Sequence, residues 1–300
     1  MTAGLESARC GLCGGDRCRV LYDHPYALGS VSDCAATTDE FSNYGRVVRC
    51  LDCGMVYTNP RPGREALLAG YGSCVDEMYL RESSSRSINA HLSLNVIKRF
   101  APSGKLLEIG SATGYFLNAA RADFDAQGLE PSAWACKIAR ERFKLDVYPE
   151  PLETDRFPAG TFDVVAMTDV IEHLIDPKDA LRRAAAWLKP GGLLYLVTPD
   201  IGSLSALLLR GYWWGLRPAH LQYFDRDTLR RMLRETGFEV KLEKSFGRMF
   251  SYGYWLSRLR NYPAWVYKSV EAAIEALDIK DKPLYLDTRD SVELCAKKVR

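Results

Sequence analysis

The sequence predicts an α/β protein, with a β-sheet covered on both faces by helices and a small cysteine-organised unit before it. From residue 105 onward short apolar runs alternate with helical patterns, which is typical of a parallel sheet. A glycine turn at residues 110–114 joins the first strand to a helix. Two Cys-x-x-Cys-Gly segments near the start predict the small unit. A chain of 300 residues, 47% of them hydrophobic, is long enough for one large or two modest domains.

The cysteine segments occupy residues 10–14 and 50–54. Two residues between cysteines let one turn present both thiolates to a single ion, and two such turns complete a tetrahedral site. We therefore expect a structural Zn²⁺ in a zinc-binding domain over residues 1–70, with these ligands: Cys10, Cys13, Cys50 and Cys53. Unpaired or redox-active cysteines are the alternative. Cys18 could compete as a ligand, but it has no second cysteine at this spacing.

The remaining elements follow from local patterns. Residues 71–100 are expected to form a helical linker that ends in an amphipathic segment. Apolar runs bounded by turn residues predict strands at 105–109, 125–129, 145–148, 162–168, 192–198, 238–246 and 291–299. Helical periodicity predicts helices at 114–122, 132–142 and 177–188. Asp225 is expected to cap a further helix that ends at Gly237, and an aromatic helical insertion is expected at about 249–280.

Charge and composition exclude some classes of partner. The formal net charge is +2, and within residues 1–70 seven arginines and no lysine face eight acidic residues. That balance disfavours phosphate contacts, so we expect no nucleic-acid partner. No apolar run approaches the roughly 18 residues of a membrane-spanning helix. The first residues lack the basic and apolar segments of a secretion signal. We therefore expect a cytoplasmic protein without a membrane partner.

The glycine turn and a later acid indicate a nucleoside ligand. A strand, a glycine turn and a helix in succession let the backbone approach such a ligand closely. The dinucleotide fingerprint would need a small residue at position 115, where the chain has Tyr115. Glu130 lies 22 residues after Glu108, at the end of the second predicted strand. An acid in that place can accept hydrogen bonds from ribose hydroxyls, although a helix cap or a surface acid is the alternative.

Residues 106–116 resemble the E-x-G-x-G-x-G loop of class I S-adenosylmethionine (SAM) methyltransferases, with Ala112 where the middle glycine usually stands. Segments 169–174, 188–199 and 220–224 are similar to the ubiquinone-biosynthesis-like group of that family. The cysteine segments, followed by residues 57–62, resemble zinc-ribbon methyltransferases of sugar and natural-product pathways. The resemblance covers roughly residues 101–300. It implies a Rossmann-like seven-stranded sheet whose last hairpin is antiparallel, a small zinc-ribbon domain, and SAM as cofactor.

The resemblance also implies the cofactor-binding residues. They are Tyr79, Glu108, Gly110, Ala112, Gly114, Tyr115, Phe116, Glu130, Pro131, Ser132, Leu152, Glu153, Thr168, Asp169 and Val170. Leu152 and Glu153 would lie at the adenine edge by analogy. Tyr79 would reach over the cofactor as an aromatic residue ahead of the loop does in such enzymes, or it is an ordinary core tyrosine.

Methyl transfer from a sulfonium is an in-line displacement, and a hydroxyl or acidic-carbon acceptor must also lose a proton. His173 and His220 fall within the family segments and are expected to be catalytic, His173 first, because an imidazole titrates near neutral pH. A structural or cofactor-contacting role for His173 stays open. A divalent metal beside Glu172 and His173 is a further alternative. Aromatic residues expected to contact the acceptor are Trp213, Trp214 and Tyr223, with a packed loop or a dimer contact as the alternative.

The sequence therefore predicts a SAM-dependent methyltransferase for a small-molecule acceptor, expected to be a sugar or secondary metabolite. An rRNA methyltransferase is one alternative, but the [DN]-P-P-[YF] segment used on exocyclic nitrogens is replaced by Thr168-Asp169-Val170-Ile171. A non-catalytic SAM-binding scaffold is another. The aromatic insertion could form a lid, a substrate wall or the surface of a homodimer.

Overall fold

The computed structural model describes residues 5–23, 44–154, 156–260 and 262–299, with the backbone alone for Met78. Residues 24–43 of the predicted zinc-binding domain and Asn261 of the predicted insertion lie outside the described residues. Within the described ranges, no helix is both long enough and apolar enough to cross a membrane.

Two groups of elements follow one another along the chain. The first comprises β1 Leu5–Glu6, β2 Cys18–Tyr22, β3 Val47–Cys50, β4 Val56–Thr58, β5 Arg61–Pro62, α1 Arg64–Gly72, α2 Glu77–Arg81 and α3 Ser83–Ile97. The second comprises β6 Gly104–Ile109, α4 Tyr115–Ala120, β7 Phe124–Leu129, α5 Ala133–Phe143, β8 Asp146–Tyr148, β9 Phe162–Thr168, α6 Pro177–Trp187, β10 Leu188–Pro199, α7 Leu204–Leu209, β11 Gln222–Tyr223, α8 Arg226–Glu235, β12 Phe238–Ser245, β13 Arg248–Ser251, α9 Tyr252–Ser257, α10 Ala264–Ala276, β14 Pro283–Leu286 and β15 Ser291–Lys298.

The large sheet has seven strands in the order β12-β15-β10-β9-β6-β7-β8. Strand β15 pairs antiparallel with both of its neighbours, while the pairs from β10 to β8 are parallel. The central strands are apolar on both faces, as Val164 and Val165 of β9 show by being completely buried. Such strands need helices on both sides. The predicted seven-stranded α/β sheet with an antiparallel last hairpin is confirmed.

The aromatic insertion differs from its prediction. Residues 249–251 were expected to be helical but belong to β13, which pairs antiparallel with β14 at the other end of the insertion. The helices α9 and α10 lie between these two strands in the chain. The hairpin closes over a sequence separation of about thirty residues, a non-local pairing that helical periodicity does not encode. The insertion is therefore a hairpin-based unit that contains two helices.

The N-terminal strands form a second sheet in the order β11-β4-β3-β2. Its edge strand β11 comes from far along the chain, between α7 and α8. Leu12 and Met55 of the cysteine unit are buried in the same core cluster as Leu107 of the large sheet. Packing is thus continuous from the cysteine unit into the large sheet, and the division of the chain at residues 70 and 100 remains a prediction.

Helix α8 begins with a capping box, as the sequence predicts. The carboxylate of Asp225 accepts a hydrogen bond from the Thr228 N–H (2.8 Å), and the Thr228 side chain accepts one from the Asp225 N–H (3.1 Å). We expect Asp225→Ala to lower the free energy of unfolding by about 1 kcal/mol, because the helix loses the partner of an orphan N–H. Urea unfolding measures this. Asp227→Ala is the control, since that side chain is 93% exposed, and equal losses in both variants would contradict the prediction.

Candidate functional site

The four predicted zinc ligands lie together. Each sulfur of the first cysteine turn lies close to one of the second: Cys10 Sγ is 3.4 Å from Cys53 Sγ, and Cys13 Sγ is 3.5 Å from Cys50 Sγ. All four sulfurs lie within 4.8 Å of one another. Sulfurs around a tetrahedral zinc ion are about 3.8 Å apart, because each Zn–S bond is about 2.3 Å. The cluster therefore fits a Zn²⁺ ion with four thiolate ligands, while Cys18 lies outside it.

The two cysteine turns are built alike. The Gly14 N–H donates to the Cys10 carbonyl (2.8 Å), and the Gly54 N–H donates to the Cys50 carbonyl (3.1 Å). Each bond closes a turn that brings its two sulfurs to the same side. A set of four thiolates leaves no open position for a substrate. The cluster can therefore hold a structural ion and not a catalytic one.

A cavity of about 1380 Å³ opens at the carboxyl ends of the parallel strands. In doubly wound sheets this edge is where ligands bind. The predicted cofactor residues that line the cavity are Tyr79, Glu108, Gly110, Ala112, Tyr115, Phe116, Glu130, Pro131, Ser132, Leu152, Glu153, Thr168, Asp169 and Val170. Gly114 does not line it. A Cβ atom there would lie 2.6 Å from Leu145 Cδ1, so Gly114 serves the packing of the loop against neighbouring elements.

The glycine loop is held by Glu130. The Ala112 N–H donates to Glu130 Oε2 and the Ser132 N–H donates to Glu130 Oε1, each at 2.8 Å. Gly110 has φ +72°, and a Cβ atom there would lie 2.5 Å from Val170 Cγ2. Ala112 also has a positive φ, at 45°, so it adopts the conformation that the family's usual glycine adopts without strain. The glycine loop and the Glu130 carboxylate thus form one hydrogen-bonded unit, called the cradle below.

The buried Glu108 and the half-buried Tyr79 border this cradle. Glu108 is 5% exposed, and its Oε2 has no hydrogen-bond partner among the described residues. Burial, with a contribution from Glu130, raises the pKa of Glu108 well above its usual range. Tyr79 lies 3.2 Å from the guanidinium carbon of Arg86, measured from the ring centroid, and its ring centroid is 6.4 Å from that of Tyr115. Tyr79 therefore lies at the cavity wall with a cation over its ring.

The two candidate catalytic histidines are in contact. Their ring centroids are 4.7 Å apart, with the planes at 90°. His173 Nδ1 lies 3.0 Å from the Ala219 carbonyl oxygen and 2.9 Å from the Tyr71 hydroxyl, and His220 Nδ1 lies 2.8 Å from the Gly215 carbonyl oxygen. A carbonyl oxygen only accepts, so both Nδ1 atoms carry the proton and each Nε2 keeps its lone pair. Burial lowers the pKa of His173 to about 4 and that of His220 well below its usual range, so the near-neutral titration expected of these imidazoles is wrong and both rings are neutral at pH 7.

Glu172 completes the cluster. Its Oε2 accepts a hydrogen bond from the Thr198 hydroxyl (2.9 Å), while its Oε1 is buried without a hydrogen-bond partner in the described part of the chain. Burial and the nearby Asp169 raise the pKa of Glu172 to about 8. Ligand atoms of Glu172, His173 and His220 lie within 4.8 Å of one another. At neutral pH the cluster therefore offers a protonated carboxyl group as a donor and two imidazole nitrogens as acceptors, and with Glu172 deprotonated the same three residues could coordinate a divalent cation.

Of the three residues predicted to contact the acceptor, only Trp214 lines the cavity. Its indole N–H donates to Asp290. Trp213 and Tyr223 do not line the cavity. They are 1% and 3% exposed, in a hydrophobic cluster that also contains Val56 of the N-terminal sheet. Their aromatic rings fill the space between that sheet and the loop after α7, so the alternative of a packed loop describes their placement.

Sequence reasoning missed Arg248. This residue begins β13, and its guanidinium donates two hydrogen bonds, of 2.7 and 2.6 Å, to the two carboxylate oxygens of Asp169. The ion pair raises the pKa of Arg248 further above its usual range. Nothing in the local sequence pairs these residues, because 78 positions lie between them. Asp169 has φ +54°, a conformation unusual for a residue other than glycine.

Comparisons with known proteins agree with this geometry. The methyltransferase domain family matches residues 83–243, more than half of the 300-residue chain. A ubiquinone biosynthesis O-methyltransferase of Caulobacter vibrioides is 35% identical over 111 residues, which cover 35% of this chain and 44% of that protein. Another, from Thiobacillus denitrificans, is 30% identical over 152 residues, or 46% of this chain and 65% of that protein. The chain thus spans from under half to about two thirds of these two relatives.

A solved structure of a SAM-dependent methyltransferase from Archaeoglobus fulgidus supports the fold. It has a TM-score of 0.52 at 20% identity and covers 74% of this chain and all of that chain. Identity this low carries information about the fold alone. The sheet order, the glycine loop and the family match lead to the same result. This chain belongs to the methyltransferase domain family and has the class I SAM-dependent methyltransferase fold.

Proposed function

We propose that this protein is a SAM-dependent methyltransferase acting on a small-molecule acceptor, a sugar or secondary metabolite. One observation carries the proposal. The Glu130 carboxylate accepts hydrogen bonds from the Ala112 and Ser132 N–H groups, beside Gly110, at the carboxyl ends of the parallel strands. The cradle fits SAM because the carboxylate oxygens of Glu130 can each accept a further hydrogen bond, from ribose hydroxyls. Family membership supports the same activity.

The other predicted cofactor residues differ in polarity, and this suggests which part of SAM each would contact. Leu152 offers an apolar surface for the adenine, next to Glu153. The orphan Oε2 of Glu108 and the carboxyl end of β9 border the space left for the amino-acid part of the cofactor. When bound, SAM supplies an electrophilic methyl group on a sulfonium. The chain's own residues then have to hold the acceptor in line with that group and exclude water.

The histidine cluster is the proposed place of proton removal. Both Nε2 atoms keep a lone pair because each Nδ1–H is bonded to a carbonyl. The acceptor hydroxyl or acidic carbon can therefore lose its proton to His173 Nε2, with His220 as the second candidate. A divalent cation held by Glu172 and the two histidines is the alternative use of the same atoms.

Replacing the histidines tests this role. We expect His173→Ala to lower kcat about 100-fold or more, because a positioned base contributes 10²–10⁴-fold, and His220→Ala to lower it less. The Kd for SAM should stay within about twofold in both. His91→Ala is the control, because His91 is exposed on α3 and is not among the cavity-lining residues. A His173→Ala variant with normal kcat would remove that residue from the proposal.

The activity itself is tested by release of S-adenosylhomocysteine. The purified chain is incubated with SAM and a panel of sugars, glycosylated metabolites and aromatic metabolites. Calorimetric SAM binding together with product release for one acceptor class supports the proposal. Binding without release for any acceptor favours a non-catalytic scaffold, and salt-sensitive RNA binding with RNA methylation favours an rRNA methyltransferase.

We also propose a structural Zn²⁺ on the four clustered cysteines and action in the cytoplasm. Four thiolates need reduced cysteines, and a reducing compartment keeps cysteines in that state. The described cysteines are free of disulfides.

A further inference from the structure

The cavity is larger than one cofactor requires. Ligand pockets are typically about 300–1,000 Å³, and this cavity measures about 1380 Å³. Most residues assigned to SAM come from β6 with the loop and helix that follow it and from the ends of β7 and β9, while Tyr79 lies on α2 and Leu152 and Glu153 follow β8. A separate part of the lining comes from the insertion, that is, from β13, α9, α10 and β14. The cavity therefore has room for a second ligand beside the insertion.

The insertion wall is mainly apolar. It includes these side chains: Tyr254, Trp255, Leu259, Ile274, Leu284 and Leu286. The polar atom of Trp255 is already used, because its indole N–H donates to the Leu284 carbonyl (3.0 Å). Arg258 also lines this wall, and its guanidinium carbon lies 4.3 Å from the centroid of the Tyr254 ring. A wall of this kind contributes to binding by covering apolar surface.

A sugar body fits such a wall poorly. Each hydroxyl that leaves water without a hydrogen-bond partner costs about 1–3 kcal/mol or more. A monosaccharide carries several hydroxyls, while most insertion residues that line the cavity are apolar or aromatic, and the polar groups among them belong to Arg248, Arg258, Ser269 and the hydroxyls of Tyr252, Tyr254 and Tyr262. A hydrocarbon or aromatic body has no hydroxyls to desolvate, and burial of its apolar surface against the wall is favourable. The wall therefore favours the secondary-metabolite half of the proposed acceptor class.

The insertion is fixed to the cofactor end of the cavity. The Arg248–Asp169 ion pair joins β13 to the carboxyl end of β9. Asn89 of α3 exchanges two hydrogen bonds with the backbone of Met249, at 2.8 and 2.9 Å. The Ser251 hydroxyl donates to Glu82 at 2.6 Å. These contacts hold the apolar wall beside the edge of the sheet where Asp169 and His173 lie.

We propose that the described part of the insertion, residues 248–260 and 262–286, forms an acceptor chamber that selects a mainly apolar body larger than a single six-membered ring. The acceptor's reacting group then lies at the His173 end and its body lies against α9 and α10. Arg248 is a positioning residue, which holds the wall to the cofactor end through Asp169. The proposal rests on the proposed methyltransferase function and adds the acceptor class to it.

Two adjacent alanines of α10 provide the test. Both are exposed, but only Ala273 is among the residues that line the cavity, while Ala272 is not. The probes are phenol and 2-naphthol, and their Kd values are measured by calorimetry with and without S-adenosylhomocysteine. We expect 2-naphthol to bind about tenfold more tightly than phenol to the unmodified chain, because it buries more apolar surface. Ala273→Trp should weaken naphthol binding about tenfold, and Ala272→Trp should change it less than twofold.

The outcomes separate the two proposals. Naphthol that binds no more tightly than phenol, or equal effects of the two tryptophan variants, overturns the chamber. Thymidine diphosphate glucose that binds at micromolar Kd and is blocked by Ala273→Trp overturns it in favour of a sugar. A chain that binds naphthol as expected but does not bind S-adenosylhomocysteine counts against the methyltransferase proposal alone. If Ala273→Trp alters the circular dichroism spectrum, the phenol-to-naphthol ratio of the unmodified chain decides.

Discussion

Replacing Cys10 and Cys50 together with serine is expected to remove zinc from the protein and to destabilise it strongly. The four sulfurs lie within 4.8 Å of one another, so the double variant leaves two thiolates where a tetrahedral ion needs four. Structural zinc contributes about 10–16 kcal/mol to the folding of small zinc peptides. A loss of at least about 3 kcal/mol from the free energy of unfolding is therefore expected here. Metal analysis and urea unfolding measure the two effects.

The damage should extend to the catalytic cavity. Cys50 ends β3, which pairs with β4, and β4 pairs with β11. The carbonyl of His220, two residues before β11, accepts a hydrogen bond from the Thr58 hydroxyl (2.9 Å). Unfolding of the N-terminal cysteine unit should thus disturb His220 as well. Cys18→Ser is the matched control, since Cys18 lies on the adjacent strand outside the cluster. A double variant that keeps one zinc per chain would rule out the four-cysteine site.

Glu130→Ala is expected to weaken SAM binding about 100-fold or more. The variant loses the proposed ribose acceptor, and it also loses the carboxylate that holds the Ala112 and Ser132 N–H groups at 2.8 Å. Hydrogen bonds to a charged group contribute about 1.5–3 kcal/mol each, so loss of even one or two reaches this size. Ala112 has a positive φ, which the loop should abandon once the clamp is gone. Calorimetry of SAM binding measures the effect.

Glu141→Ala is the control that separates cofactor binding by Glu130 from a general effect of removing a negative charge. Glu141 lies on α5 with its side chain 65% exposed, away from the cavity lining. We expect Glu141→Ala to bind SAM as the unmodified chain does. Glu130→Gln should fall between the two, because the amide can accept one hydrogen bond but presents an NH₂ group to the second N–H. Unchanged SAM affinity in Glu130→Ala, with a normal circular dichroism spectrum, would show that Glu130 does not bind the cofactor.

Much of the cofactor end of the fold is predictable from sequence because its signals are local. The strand bounds of β6, β7 and β9 agree with the predicted runs to within a residue or so. Gly110 and Glu130 are recognisable because one needs a positive φ and the other ends a strand at a fixed distance from the loop. The cysteine turns carry their geometry in two intervening residues. Each of these signals is a short segment of fixed local geometry, and Glu130 is found by its place directly after the next strand along the chain.

The acceptor side was predicted less well, because its contacts are non-local. Trp213 and Tyr223 have the composition of a ligand-contacting segment, yet they fill a core cluster created by β11 joining the N-terminal sheet. Arg248 has no local feature that distinguishes it from a surface arginine. Its role follows only from the hairpin that brings β13 to the end of β9. Composition alone therefore assigned aromatic residues to the acceptor and overlooked the ion pair.

The sequence by itself determined the fold class, the glycine loop and the two cysteine turns of this protein. Short-range periodicity, glycine turns and ligand spacing are sufficient for these, since each is set by the backbone geometry of a few neighbouring residues. Only the tertiary structure decided how the insertion meets the cavity and how His173, His220 and Glu172 come together. Apart from the adjacent pair Glu172 and His173, those contacts join residues 40 or more positions apart, and which of them form depends on how all the elements pack at once.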